Sequence, residues 1–290
     1  MYINTPGLVL RETAYRDSSK ILTILTGTEG KLTVSARGAR RKNSVLAASA
    51  QLLVFSEMTL FSNKDRWTLT EARSIEQFYG LRQDVALLAL GSYFAELTEA
   101  ISDEDSPNPD LLRLCLNSLF ALSEGVKRPE LVKPVFELRI LALAGLAPLL
   151  THCAQCGNEE PELAYLDVSG GNIYCGSHVF NGGMTDRYTG EVTQTHSADI
   201  TESARNGNLR SGFSEESQSG LADVCGGNFV RLSRAALAAA RYIISCDLRK
   251  IFSFTIAGAA IQELSKAMER YLLTQLDRSF RTLDFYKKIG

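Results

Sequence analysis

The sequence predicts an α+β protein: a small closed β-barrel at the amino end, then α-helices, with a cysteine-bearing module set into the helical part. Three observations predict it. Apolar residues alternate with period two over residues 1–75, and from Leu81 they recur at three- and four-residue spacing. Between residues 151 and 180 the helical pattern is broken by two tight pairs of metal-binding side chains. With 290 residues, 45% of them hydrophobic, the chain is long enough for two or three domains with cores of their own.

The barrel comes first. GLVLRETAY, KILTILTG, KLTVSARG, QLLVFSEMTLFS and RWTLTEAR each read as a strand, and Gly, Asn, Asp and Ser punctuate them. In KLTVSAR, Leu32, Val34 and Ala36 share one face while Lys31, Thr33, Ser35 and Arg37 share the other. Five short strands in so few residues fit a closed barrel better than a flat sheet, because closure removes the edges. An OB-type barrel is the commonest five-stranded solution.

Helices follow. DVALLALGSYFAELTEAI, PDLLRLCLNSLFALSEG, PELVKPVFELRILALAG, SRAALAAARYIISCDL and GAAIQELSKAMERYLLTQLD carry the helical spacing. Pro109 and Pro129 suit first-turn positions, Gly125 and Gly145 suit helix stops, and Ser233 suits a cap. Pro134 predicts a kink or a late start in the third helix. The expected organisation is a barrel domain over 1–80 and a helical domain over 81–150 and 229–290. A metal-binding module over 151–180 and a long polar loop over 181–228, rich in Gly, Ser, Thr and Asn, interrupt the helical part.

Charge is unevenly spread. The chain has a net charge of -2, yet its first 80 residues hold 11 Lys and Arg against 7 Asp and Glu. SARGARRKNS concentrates the excess: Arg37, Arg40, Arg41 and Lys42 have no acid beside them in sequence. A solvated loop and a phosphate-contacting edge both account for such a cluster. Its place at the end of a barrel strand favours the second, because OB grooves bind single strands. Gly38 and Ala39 would let another backbone come close. Lys31 shares a face with Arg37, and Lys64 and Arg66, in the hairpin between the last two strands, would extend the patch. Tyr15, Phe55, Phe61 and Trp67 are candidates to stack on bases, with barrel core the expected place of Phe55 and Trp67.

Cys153, Cys156, Cys175 and His178 read C-x2-C-x18-C-x2-H, the spacing of a structural zinc site with one ion per chain. Each pair lets one turn offer two ligands, and LAYLDVSGG can form a hairpin that brings the pairs together. Cys225, His152 and His196 remain alternatives for the fourth ligand, whereas Cys115 and Cys246 read as core thiols. The chain has no H-E-x-x-H, no deaminase frame, no phosphate-cradling G-x-x-x-x-G-K, no G-x-G-x-x-G and no G-x-S-x-G, so an enzyme is not expected. It shows no secretory signal and no apolar run near the roughly 18–20 residues of a membrane span, which predicts a cytoplasmic protein.

Over most of its length the sequence also resembles a known family, the bacterial recombination mediator RecO. VLRETAYRDSSKILTILTGTEGKLTVSARGARRKNS resembles the opening pattern of strand, polar turn, strand, Gly-Lys and a basic Gly-Ala-Arg segment. SYFAELTEAI resembles a Tyr-x-x-Glu-Leu helix, and FELRILALAGLAPLLTHCAQCG a Phe-Glu-x-Arg…Gly…Pro…Cys-x-x-Cys-Gly passage. The resemblance implies an OB fold, a helical domain and a zinc site. It implies binding to single- and double-stranded DNA, annealing of complementary strands, and action with RecR to place RecA on DNA coated by single-strand-binding protein. It also implies a nucleoid-associated protein away from membranes. The chain departs from the pattern at His178, where many members have cysteine, and in the length of the 181–228 loop. A protein-interaction adaptor with incidental DNA contact is the alternative of a different class, and a zinc hydrolase acting on nucleic acid is a third.

Overall fold

The computed structural model describes residues 1–64, 66–104, 106–180 and 228–289. The polar loop expected at 181–228 therefore lies outside the described residues, apart from Asn228. The chain divides into two compact units. One joins Met1–Ala147, Tyr242–Thr255 and Leu276–Gly290; the other joins Pro148–Arg241 and Ile256–Gln275.

In the first unit, β1 (Tyr2–Tyr15), β2 (Ser19–Thr26), β3 (Lys31–Ala36), β4 (Phe55–Asn63) and β5 (Arg66–Glu76) close into a barrel in the order β1-β2-β3-β5-β4. Only the β3–β5 pairing is parallel; it sets Val34 beside Trp67 and Ser35 beside Thr68. The alternation in the sequence sets the core. Val9, Leu22, Ile24, Leu32, Val34, Ala36, Met58, Leu60 and Leu69 point inward and are buried. QLLV, expected to open a strand, lies in turns, and β4 begins at Phe55. The segment from Arg37 to Val54 is a chain of turns whose Ala39, Leu46 and Ala50 enter the barrel core.

Helices α1 (Tyr79–Gln83), α2 (Val85–Ile101), α3 (Pro109–Ser123) and α4 (Pro129–Leu143) follow. Asp84 caps α2 by accepting from the N–H groups of Ala86 and Leu87, and Asn108 caps α3 by accepting from Leu111 N–H. Gly125 and Gly145 take φ of 62° and 76°, which lets the next residue's N–H turn back: Val126 to the Ala121 carbonyl and Leu146 to that of Leu141. The helix containing Pro134 starts at Pro129 and runs through the proline, so there is no late start. The missing N–H of Pro134 costs one bond near the first turn, and burial of both sides of α4 holds the helix together.

α2 also covers part of the barrel. Glu99 pairs with Arg11 at 2.9 Å and accepts from the Thr23 hydroxyl, while its carbonyl takes the Lys31 ammonium at 3.0 Å. Gly30 passes so near the Ser106 backbone that an added Cβ would lie 2.5 Å from that carbonyl oxygen.

In the second unit, β6 (Leu149–Cys153), β7 (Leu163–Asp167), β8 (Asn172–Cys175) and β9 (Phe229–Ser233) form a sheet in the order β6-β8-β7-β9. Strand β9 is not expected from the sequence; it directly precedes the helix expected from Ser233, which forms over Arg234–Ser245. Its Val230 and Leu232 are buried against the sheet, and the Ser233 hydroxyl then caps the following helix by accepting from Ala236 N–H. Among the described residues, the remaining α-helices are α5 (Gly176–Phe180), α6 (Arg234–Ser245), α7 (Gly258–Leu276) and α8 (Arg281–Ile289). Among the described residues, no helix is long and apolar enough to cross a membrane.

Candidate metal centre and nucleic-acid interface

β6 ends on Cys153, and a tight turn follows. Gly157, with φ 73°, donates to the Cys153 carbonyl at 2.9 Å, and Cys153 N–H donates to the Asn158 carbonyl at 2.8 Å. That turn holds Cys156 beside Cys153. The β7–β8 hairpin turns at Asp167–Gly171, where Gly171 donates back to the Asp167 carbonyl and has φ 69°. β8 ends on Cys175, and the short α5 returns His178 to the same point. The three sulfurs and an imidazole nitrogen all lie within 4.8 Å of one another.

The spacing can be compared with a tetrahedral ion. Zn–S bonds of about 2.3 Å and Zn–N bonds of about 2.0–2.1 Å imply S···S edges of about 3.8 Å and S···N edges of about 3.6 Å. Cys156 Sγ and Cys175 Sγ are 3.8 Å apart, and Cys153 Sγ and His178 Nδ1 are 3.7 Å apart. The Cys175–His178 edge is shorter, at 2.8 Å. Burial pushes the Cys153 thiol up, but the N–H groups of Cys156, Cys175 and Gln155 outweigh it and hold this thiol down at about 6. A thiol so stabilised as thiolate is prepared for a cation. Four such donors could hold a metal ion, and three sulfurs with one imidazole suit zinc.

His152 stands apart, its Nδ1 2.9 Å from the Thr151 hydroxyl, while Cys225 and His196 lie outside the described residues. Cys115 is buried against Thr98, and burial pushes its thiol up to about 12; Cys246 is half-buried.

The basic loop is built differently. Arg37, Arg40, Arg41 and Lys42 are exposed, and no ion pair engages them among the described residues. The backbone beneath them is fixed. Arg40 N–H donates to the Ser18 carbonyl at 2.9 Å, Gly38 N–H to the Ser19 hydroxyl at 3.3 Å, and Arg41 N–H to the Gly38 carbonyl at 3.0 Å. Gly38 adopts φ 69°, and Ala39 is only 2% exposed. The two small residues thus have a different role from the one expected: Gly38 makes the turn and Ala39 plugs the barrel.

These bonds bring the β1–β2 turn alongside. Arg40 Nη1 donates to the Arg16 carbonyl at 3.3 Å, and the Arg16 guanidinium lies 5.1 Å from the Tyr15 ring centre. Arg16 therefore joins the cluster, together with the partly exposed Tyr15. No local pattern signals it, because 24 residues separate Arg16 from Arg40.

The other expected cations fall elsewhere. Lys31 is held by the Glu99 carbonyl. Lys64 and Arg66 are exposed at the β4–β5 turn. The parallel β3–β5 register, extended by one residue, puts Arg66 beside Thr33. It thus lies four residues, or about 13 Å, down β3 from Arg37.

Residues 1–78 match the family profile described as Recombination protein O N terminal, and residues 82–192 match the profile described as Recombination protein O C terminal. A DNA repair protein RecO from Caldicellulosiruptor bescii is 39% identical over 173 residues, covering 60% of this chain and 70% of that protein. This chain belongs to the RecO family. Two further proteins named DNA repair protein RecO align end to end. The one from Acetivibrio thermocellus is 29% identical over 99% of this chain and 97% of its own. The one from Alkaliphilus metalliredigens is 27% identical over the whole of both chains.

Within the RecO framework, the residues that carried the resemblance hold the helices together. The Tyr93 hydroxyl donates to Glu137 at 2.8 Å, Lys133 pairs with the same carboxylate at 2.8 Å, and Phe94 stacks on Phe136 at 4.0 Å. Glu96 accepts from Thr282 N–H at 3.1 Å and so caps α8. Arg139 Nη1 donates to the Ile243 carbonyl at 3.0 Å. These groups are committed to packing.

Proposed function

We propose that this chain is a non-enzymatic DNA-binding mediator of recombinational repair. It anneals complementary strands and, with RecR, helps place RecA on single-stranded DNA coated by single-strand-binding protein. The observation that carries this is the exposed, unneutralised cluster of Arg37, Arg40, Arg41 and Lys42 on a fixed loop of an OB-type barrel. Phosphates contact such a cluster without regard to sequence, as annealing of any complementary pair requires. Membership of a family whose relatives are named DNA repair proteins supports the reading. The absence of phosphate-cradling and nucleophile motifs supports a role without turnover, and the protein would act in the cytoplasm, at the nucleoid.

In this reading residues 1–80 are the DNA-binding domain, with Arg37, Arg40, Arg41 and Lys42 as main contacts, Lys64 and Arg66 as flanking ones and Lys31 as a lesser one. Residues 81–150 and 229–290 are the helical domain that meets protein partners. Residues 151–180 are a structural zinc module held through Cys153, Cys156, Cys175 and His178. The ion supplies folding energy that a small sheet lacks.

The test is an annealing assay. Complementary strands coated with single-strand-binding protein are mixed with the pure chain and no nucleotide. Acceleration without ATP is expected; no effect at any salt concentration would leave DNA contact incidental and favour the adaptor reading.

A further inference from the structure

The outer face of the barrel is divided. Near Glu99, α2 covers β1 and β2, leaving Thr23 only 5% exposed. The face of β3, β5, β4 and the start of β1 carries a different set of residues. The registers place Ser35 beside Thr68, Thr68 beside Phe61, and Phe61 beside Tyr2, so these four form one row across the strands. Arg37 lies two residues from Ser35, and Arg66 two residues from Thr68 on the opposite side of the row. Strand alternation puts Arg66 on the row's outward face, and Arg37 is exposed in the turn that directly follows β3. Tyr2 is 66% exposed and leans on half-buried Phe61, with ring centres 4.7 Å apart and planes tilted by 43°.

We propose that this row is a single-strand track in which Tyr2 and Phe61 stack on bases while Arg37 and Arg66, with Lys64 at the turn, hold the phosphates. The inference rests on the DNA-binding reading above and adds which side chains hold the bases and which the phosphates. An exposed ring such as Tyr2, backed by Phe61, suits an unpaired base, whose face is free, whereas duplex bases are covered by their neighbours. Cations on both sides of the row match a strand with phosphates on either side of each base. The loop at Arg40–Lys42, off the end of β3, stays available for the phosphates of a second strand.

The occupant is tested with two probes of equal length on the full chain: oligo-dT and an abasic deoxyribose-phosphate strand. Tyr2→Ala should weaken oligo-dT binding roughly tenfold, leave the abasic strand unchanged and keep the salt slope of wild type. Tyr2→Leu keeps an apolar contact with Phe61 but removes the ring's flat face, so it should lose as much; Tyr2→Phe should bind as wild type. If Tyr2→Ala binds oligo-dT normally, or loses both probes equally, the pair is only a cross-strand contact that secures β1 to β4. A wild-type chain that binds neither probe would sink the DNA-binding reading itself. One that binds both with equal affinity removes the stacking track alone.

Discussion

Arg241, on a helix, anchors the turn that carries Cys153 and Cys156. Its Nε donates to the Leu150 carbonyl at 2.7 Å, one Nη to the Thr151 carbonyl at 2.9 Å and to Glu159, and the other to the Glu160 carboxylate at 3.0 Å. Those partners flank Cys153 and Cys156, so one side chain fixes both arms of the ligand turn. Arg241→Ala would leave three carbonyls short of a donor and should destabilise the second unit by about 2–4 kcal/mol. Zinc transfer to a competing chelator should quicken, and Lys should not rescue it, since an ammonium cannot span the same fork. Release at the wild-type rate would mean the turn is held without Arg241. At this scale the sequence was legible only where partners are near. Spacing alone picks out Cys153, Cys156, Cys175 and His178, which the fold gathers into one cluster. It does not pick out Arg241 and Arg16, because their partners lie 81–91 and 24 residues away.

The turn between β2 and β3 shows what local pattern can and cannot convey about an element. TEGKL reads as a glycine turn before a strand, and it is one. The reason for the glycine is tertiary. Gly30 combines φ 71° with the Ser106 backbone against its Cα. Gly30→Ala should thus cost about 2 kcal/mol or more in urea unfolding, beyond the cost of a positive φ alone; near-wild-type stability would show that the barrel and helices can shift apart freely. Strand alternation placed all five barrel strands, because each has one face in the core. It missed β9, since FVRLS is short and directly precedes a helical pattern. For the metal module, Cys175→Ser should yield metal-free, protease-sensitive protein, while Cys225→Ser should keep one zinc by metal analysis. Zinc loss in the Cys225 variant together with full zinc in His178→Ala would reassign the fourth ligand.

For the molecule as a whole, charge is the informative quantity, and the total conceals it. A net charge of -2 gives no hint of a basic barrel. The sequence showed the excess in the first 80 residues, and folding adds Arg16 to Arg37, Arg40, Arg41 and Lys42 while diverting Lys31 to Glu99. The size of the cluster, and its separation from Lys64 and Arg66, depend on strand register that no local pattern encodes. The central claim is that DNA phosphates neutralise this loop. It is tested most directly by the salt dependence of DNA binding in a variant with Arg40, Arg41 and Lys42 all changed to Ala. Each phosphate contact contributes roughly 0.7–0.9 to the slope of log K against log salt. The variant should bind every sequence more weakly, with a slope shallower by about 2 and a melting temperature near that of wild type, because exposed charges contribute little to folding. An unchanged slope with unchanged affinity at moderate salt would show that the loop is merely solvated and that DNA binds elsewhere.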